Sequence, residues 1–366
     1  MDIILSIFAD IDDPRDHTAQ YSLASMLFMA LAATLSGATT STEIADYAEA
    51  RAEELMQIID LPGRTPSHDS FSRLFRLLDP GQLEAALRRL CAAIRRGLGL
   101  APPGGVVAVD GKRMRRGYER GRASVPPLMV GIWDAETRLS LAAAANPAGN
   151  EIAATMQALT MVTLNGCIVT ADALHCHPGM ARQIRAQGGD YVLKLKANHG
   201  PLFRTARDLF AAADAAGTLK TTETEDAAHD RREHRCGSVL AAPAGAPDFP
   251  ALTAFGRIET ERCAKGKSVH TTHYVVMSKL LPAWRMMSVT RRHWGIENHQ
   301  HWPLDVVFHE DDARTRKDNG PGNLSVIRRI ALDMLCAHPA KRSFARKMKM
   351  AAWSPTFFQE LFTYVR

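Results

Sequence analysis

The segment Val106–Gly117, VVAVDGKRMRRG, constrains the chain more than any other stretch. Four apolar residues with a β-branched bias run into an aspartate, and a glycine and a cluster of cations follow. This reads as a buried strand that delivers one carboxylate, Asp110, to its end. Strand-end aspartates also serve as caps and turns, so Asp110 taken alone is equally a structural residue. The pattern recurs in CIVTAD, Cys167–Asp172, a second apolar run closing on an aspartate. A third acid, Glu297, lies in HWGIEN on a segment with helical spacing. Two strand-end aspartates and one helical glutamate can hold a pair of divalent ions.

With 366 residues, 46% of them hydrophobic, the chain is long enough for two or three domains with a buried core. Residues 1–100 read as helical throughout. Ser22 caps a helix that carries Leu23, Met26, Leu27, Ala30 and Leu31 at three-to-four spacing, and Gly37 stops it. Thr42 is expected to open the next helix, through Ile44 and Tyr47. Pro66 and Ser67 precede a run with Phe71, Leu74, Phe75 and Leu78 on one face. Such a module suits a helix-turn-helix-like, DNA-binding accessory domain, although most helical bundles of this size are not DNA readers. The apolar stretch Leu23–Leu35 is too short to span a bilayer, and the acidic DIDDPRD before it is the wrong flank for a signal peptide. A core helix and no membrane partner are therefore expected, and the scattered cysteines suit a cytoplasmic protein.

APPGG at 101–105 is a plausible linker. From Val106 to about residue 218 the order reads β-β-β-α-β-α-β, with strands over Leu128–Asp134, Arg138–Ala144 and Tyr191–Lys196. The helix after Gly149 is expected to turn Ile152, Met156 and Leu159 inward. This order predicts a mixed α/β sheet flanked by helices, with strands one and four side by side and Asp110 near Asp172. Residues 219–280 alternate polar and β-branched types and read as a β-rich insertion. Helical periodicity returns over 281–366. Within it, a helix over Arg291–His301 would align His293, Glu297 and His301 on one face and Trp294, Asn298 and Trp302 on the next, and Pro303 would end it.

Three carboxylates from two strands and a helix suit oxygen ligation of two Mg²⁺ ions, about 3.5–4 Å apart, flanking a phosphodiester. Glu297 is the preferred third ligand, with Asp305 and Glu310 as alternatives and Asp311 and Asp312 close by. The cations are placed for such a substrate. Lys+Arg number 45 against 39 Asp+Glu, a net charge of +6 that permits polyanion binding without proving it. They crowd at Lys112, Arg113, Arg115, Arg116, Arg120 and Arg122, and again at Lys341, Arg342, Arg346, Lys347 and Lys349. Lys112, Arg113, Arg116, Lys194, Lys196, Arg291 and Arg292 are candidate DNA contacts, and Trp294 a candidate for stacking on an unpaired base. Core packing is the competing reading for Trp294 and Trp302.

Other chemistries fit less well. His175, Cys176 and His177 alternate in direction on an extended chain, and no paired C-x-x-C or H-E-x-x-H motif supports zinc. KGKS at Lys265–Ser268 lacks the glycine five residues before Gly266, where Glu261 stands, so it forms no phosphate loop. The six cysteines are scattered, as expected of reduced thiols.

The blocks VAVDGKRMRRG, GNEI, GCIVTADALHC, GGDYVLKLKANHG, RHWGIENHQHWPLDVVFHEDDARTRK and NLSVIRRIALDML resemble, in sequence and order, the signature blocks of H-repeat-associated transposases of bacterial insertion sequences. FADIDDPRD, EIADYAE and TPSHDSFSRLFRLLDP resemble the accessory helical domain that precedes their catalytic core. The resemblance covers nearly the whole chain. It implies a DDE-class enzyme with a ribonuclease-H-like core and Asp110, Asp172 and Glu297 as its triad. It further implies two Mg²⁺ ions with Mn²⁺ as a substitute, terminal inverted repeats and target DNA as partners, and a homodimer in the transposition complex. The β-rich stretch would be the insertion seen in related transposases. One departure stands out: the broader group carries arginine four before the glutamate and lysine seven after it, where this chain has His293 and Leu304. A nuclease with the same core and a retired transposase that only binds DNA are the alternatives.

Overall fold

The computed structural model describes residues 1–16, 19–118, 125–228, 231–264 and 267–366. Arg120 and Arg122 of the basic run, and Lys265 and Gly266 of KGKS, lie outside the described residues. Six helices come first: α1 (Asp2–Ala9), α2 (Leu23–Leu35), α3 (Ser41–Ala50), α4 (Ala52–Leu55), α5 (His68–Leu77) and α6 (Pro80–Gly97). The capping chemistry is local and explicit. Ser22 and Ser67 accept the backbone N–H of Ser25 and Ser70, and Asp79 accepts that of Gln82 ahead of Pro80. At α3 the cap is Thr40 rather than the expected Thr42. Thr40 and Glu43 form a reciprocal capping box, which leaves Thr42 inside the helix.

The remaining elements are strands β1 (Val106–Arg113), β2 (Leu128–Asp134) and β3 (Leu139–Asn146), helix α7 (Glu151–Thr160), strand β4 (Ile168–Ala171), helix α8 (Pro178–Ala186), strand β5 (Asp190–Leu195) and helix α9 (Gly200–Ala215). Four long strands follow, β6 (Thr221–Ala228), β7 (Arg231–Ala241), β8 (Ala254–Ala264) and β9 (Lys267–Met277). Helices α10 (Ala283–His293), α11 (Trp302–Val306), α12 (Gly320–Ala337), α13 (Phe344–Trp353) and α14 (Pro355–Glu360) complete the chain. The strands form a mixed sheet in the order β3-β2-β1-β4-β5-β9-β8-β7-β6. This is the mixed α/β architecture with a helical N-terminal region that the sequence predicts.

The chain divides into two compact units that cut across chain order: residues 1–102, 111–162 and 296–366, and residues 103–110 and 163–295. In the first, α2 is a core helix with twelve of its thirteen residues buried. Around it lie Phe8, Phe71, Phe75 and the apolar positions of α12, including Ile327 and Ile330. Helix α12 is buried along nearly its whole length although it carries Asn323, Ser325, Arg328, Arg329 and Asp333. Each of those polar groups therefore needs an internal partner. Asn323 donates to the carbonyls of Phe75 and Leu78, and Asp333 accepts from the Ser140 N–H and the Cys91 thiol. Helix α7 buries Ala154, Ala158 and Leu159, but Ile152, expected to point inward, is exposed. Small side chains let the helix lie close, so the larger Ile152 is not needed for the contact.

In the second unit the start of β1 pairs with β4 in parallel, β4 with β5 in parallel, and β5 with β9 antiparallel. The β-rich stretch is an antiparallel meander, β6 to β9, that continues the sheet. Helix α10 lies close because Gly237 has no side chain: a Cβ there would occupy the position of the Met287 sulfur. Among the described residues, no helix is long and apolar enough to cross a membrane.

Candidate active site

Register puts the two aspartates side by side. Strands β1 and β4 pair residue for residue from Val106↔Ile168 to Val109↔Ala171; Asp110 is the next residue of β1, and Asp172 is the first residue beyond β4. Neighbouring strands lie about 5 Å apart, and residues in register point to the same face. Both are partly exposed. The Asp172 side chain is 41% exposed, and its Oδ1 accepts the Leu174 N–H at 2.8 Å while His175 Nε2 lies 4.0 Å away. His175 is fully buried. Beside them His293 is pushed down to about 4 by burial, a shift that the Asp172 carboxylate opposes and that His175 and Lys194 reinforce. A neutral imidazole thus stands next to the strand ends. Two hard oxygen donors so placed fit a hard divalent cation. Among the described residues, no three His, Cys, Asp or Glu side chains are already grouped as a metal site.

Glu297 belongs to the other unit, where it is exposed at the start of a single π-helical turn, Glu297–His301. The single helix expected over Arg291–His301 is therefore broken. Helix α10 ends at His293, and the π turn removes the four-residue alignment of His293, Glu297 and His301. Pro303 does not end a helix. It sits in the first turn of α11, where a missing N–H costs nothing.

The alternative carboxylates are committed elsewhere. Within the first unit Lys112 Nζ lies 2.6 Å from Asp305, 3.2 Å from Glu310 and 3.0 Å from Asp311. Glu310 also accepts the Ser325 hydroxyl at 2.6 Å and faces Arg329 at 3.4 Å. Burial alone would raise the Glu310 carboxyl, but Arg329, Lys112, Arg328 and Ser325 outweigh it and hold it at about 2. Asp305 moves the other way: burial raises it more than Lys112 lowers it, with Asp311 and Glu310 adding repulsion. Lys112, whose side chain is 7% exposed, is thus a buried counter-ion and not the phosphate contact expected of it. The signal for this nest in the sequence is the arginine pair inside the apolar run of α12, since such a charge must be met internally.

The other candidate DNA contacts are more open. Arg113 and Lys196 are exposed, and Arg116 pairs with Asp312 at 3.2 Å. Arg291 is exposed and paired with Asp226, and Arg292 is partly exposed. Lys194 is pushed down by burial, then by Lys196, and lies 5.7 Å from the centre of the Trp294 ring. Trp294 is 49% exposed and Trp302 57%, so neither is the core residue that the competing reading made it.

Residues 101–334 match the family model described as "Transposase DDE domain", and residues 5–91 match one described as "DDE_Tnp_1-associated". The chain is 28% identical over 349 residues to "H repeat-associated putative transposase YhhI" of Escherichia coli (strain K12), covering 91% of this chain and 90% of that protein. It is 26% identical to "Putative transposase YncI" of Escherichia coli O157:H7, over 98% and 94% of the two chains. It is 33% identical to "Uncharacterized protein in dhlA 3'region" of Xanthobacter autotrophicus, over 71% and 89%.

Proposed function

This chain belongs to the DDE transposase family, and from that premise we propose that it cuts DNA at the terminal inverted repeats of an insertion sequence and joins the released 3′ ends to target DNA. A DDE domain implies a divalent metal and DNA as partner. The proposal adds Mg²⁺, two ions with Mn²⁺ as a substitute, held by Asp110, Asp172 and Glu297. The parallel register that ends at Val109↔Ala171, immediately before Asp110 and Asp172, is the observation that supports it.

Bound there, the ions would supply Lewis acidity to a nucleophilic oxygen and to the leaving oxygen. The protein's own residues do the rest. Asp110 and Asp172 present oxygens from a rigid sheet, and Glu297 brings the third carboxylate. In the first step water oxygen attacks phosphorus, the P–O3′ bond breaks, and the 3′ oxygen leaves with a proton as the hydroxyl. In the second step that hydroxyl attacks a target phosphodiester in the same way. Arg113, Arg116, Lys196, Arg291 and Arg292 neutralise backbone phosphates, and Trp294, backed by Lys194, stacks on an unpaired base. Lys112 is left to the fold. Two copies act together, since both element ends must be processed, and the substrate places them on the nucleoid.

Labelled end DNA incubated with Mg²⁺, and separately with Ca²⁺, tests the reading. Nicking and joining in Mg²⁺ are expected from the natural chain. Asp110→Asn, Asp172→Asn and Glu297→Gln should bind the DNA but not cut it. Cutting without joining marks a nuclease, and binding without cutting a retired transposase. Full cutting by Glu297→Gln, with loss in a Glu310→Gln protein that stays folded, would reassign the third carboxylate.

A further inference from the structure

The chain's positive charge is concentrated at its C-terminal end. Residues 334–366 hold six Lys and Arg against one acid, Glu360, and since the whole chain carries +6 the rest of it is close to neutral. That acid lies 3.4 Å from His338. One of the six cations belongs to the fold. Lys347 is buried, and its Nζ donates to the carbonyls of Leu335 at 2.6 Å and His338 at 2.7 Å, which ties α13 to the end of α12.

Four others are free to act outward. Lys341, Arg342, Arg346 and Lys349 are exposed and form no ion pair among the described residues. Exposed arginines elsewhere in the same unit differ: Arg76, Arg89 and Arg116 each face an acid. Helix α13 sets the charges in a row. Ser343 caps it by accepting the Arg346 N–H, and Lys347, Met348 and Ala351 hold its inner face down by burial. Arg346, Lys349 and Trp353 follow at spacings of three and four residues and so share the outer face, with Arg342 one turn ahead of them. From Arg346 to Trp353 the stripe runs about 10 Å, the rise of about three base pairs of duplex DNA.

Trp353 is 71% exposed, more than any other large apolar side chain among the described residues. It places a flat ring and one N–H donor beside the cations. A face of solvated charge alone gives no reason for an indole in its midst. An anionic lipid surface would also attract these cations, but a helix lying in such a surface must bury an apolar face there. The apolar face of α13 is already packed inside the protein.

We propose that the outer face of α13 is a second DNA-docking surface, on which Arg342, Arg346 and Lys349, with Trp353, lie along the phosphate backbone of duplex DNA without reading its sequence. This deepens the reading above, in which DNA is the substrate, and none of these residues belongs to the proposed cutting machinery.

Affinity of the full chain for end DNA and for an unrelated duplex, followed by fluorescence anisotropy across a salt series, tests the inference. Arg342→Gln, Arg346→Gln and Lys349→Gln combined should lower the slope of log affinity against log salt by about two to three for both duplexes alike, and weaken binding at about 0.1 M salt at least tenfold. Trp353→Ala should weaken binding and leave the slope as it was. Should the combined variant fail to fold, Arg346→Gln alone should lower the slope by about one. A slope within about 0.5 of the natural chain's overturns the inference, and nicking of end DNA by the natural chain then leaves the proposed function standing. A lowered slope in a chain that binds DNA but never nicks it sustains this surface and removes the proposed cutting. Vesicles of phosphatidylserine and phosphatidylcholine form the second arm. Sedimentation with them that the combined variant loses, while its DNA slope is unchanged, assigns the face to a membrane and overturns the inference. If the natural chain binds neither duplex, both readings fall.

Discussion

Asp110 and Glu310 are both acids in blocks that resemble transposase signatures, yet their surroundings are opposite. Asp110 lies inside β1 just past the last residue paired with β4, not at the strand's end as the sequence predicts, Asp172 follows the end of β4, and both are partly exposed. Glu310 is 1% exposed and met by Arg329, Lys112 and the Ser325 hydroxyl. A carboxylate whose charge is already matched inside the fold has little left to offer an ion that must enter from water. Asp172, with its side chain 41% exposed, is more open to water. Environment, rather than residue type or proximity to a motif, separates an acid that holds the fold together from one that faces water.

The largest expected contrast is between the two settings themselves. Asp110→Asn or Asp172→Asn should lower Mg²⁺-dependent nicking by at least about a thousandfold, roughly 4 kcal/mol in barrier, and shift the melting temperature little. Glu310→Gln should show the reverse. It strands the buried Arg329, and should cost on the order of 3–5 kcal/mol of stability in denaturant unfolding, with Mn²⁺ affinity kept. A stable Glu310→Gln protein that no longer binds Mn²⁺ would erase the distinction.

A smaller effect comes from a buried acid that forms no ion pair among the described residues. Glu84 on α6 accepts the Ala145 N–H at 2.6 Å through one oxygen, and its other oxygen has no partner. Burial, with Asp79 adding and the Ala145 N–H and Arg88 opposing, raises its carboxyl to about 7. In the unfolded chain a glutamate titrates near 4.3. Because the folded value is raised, this site is at its most favourable below the unfolded range and loses stability as the pH climbs toward about 7. Glu84→Gln should therefore match the natural chain near pH 4.5 and exceed it at pH 8 by on the order of 1–3 kcal/mol, read by urea unfolding at the two pH values. Equal stability at both would place the proton elsewhere.

The smallest concerns the rim. Lys196→Ala should weaken DNA binding modestly and reduce the slope of log affinity against log salt by about one, as removal of one phosphate contact does. An unchanged slope would remove Lys196 from the interface.

Much of this was legible in the residues. The apolar run before Asp110 and the one before Asp172 announced buried strands, because only a strand hidden on both faces tolerates such runs. Ser22, Ser67 and Pro80 announced helix starts, because capping is a bond between neighbours in sequence. The segment around Glu297 was read less well. Spacing alone made one helix of Arg291–His301, and nothing in the string of residues marked the π turn or the exposure of Trp294 and Trp302. The same is true of Lys112, which reads as one cation among several until Asp305, Glu310 and Asp311 are seen around it.

Local pattern fixes the order of strands and helices, and blocks that survive in order fix the family. The packing of distant elements alone sets Glu310 against Lys112 and Arg329, and Asp311 against Lys112, inside the fold. Those contacts join side chains from 19 to 199 positions apart in the chain, and neither periodicity nor propensity carries information over such separations.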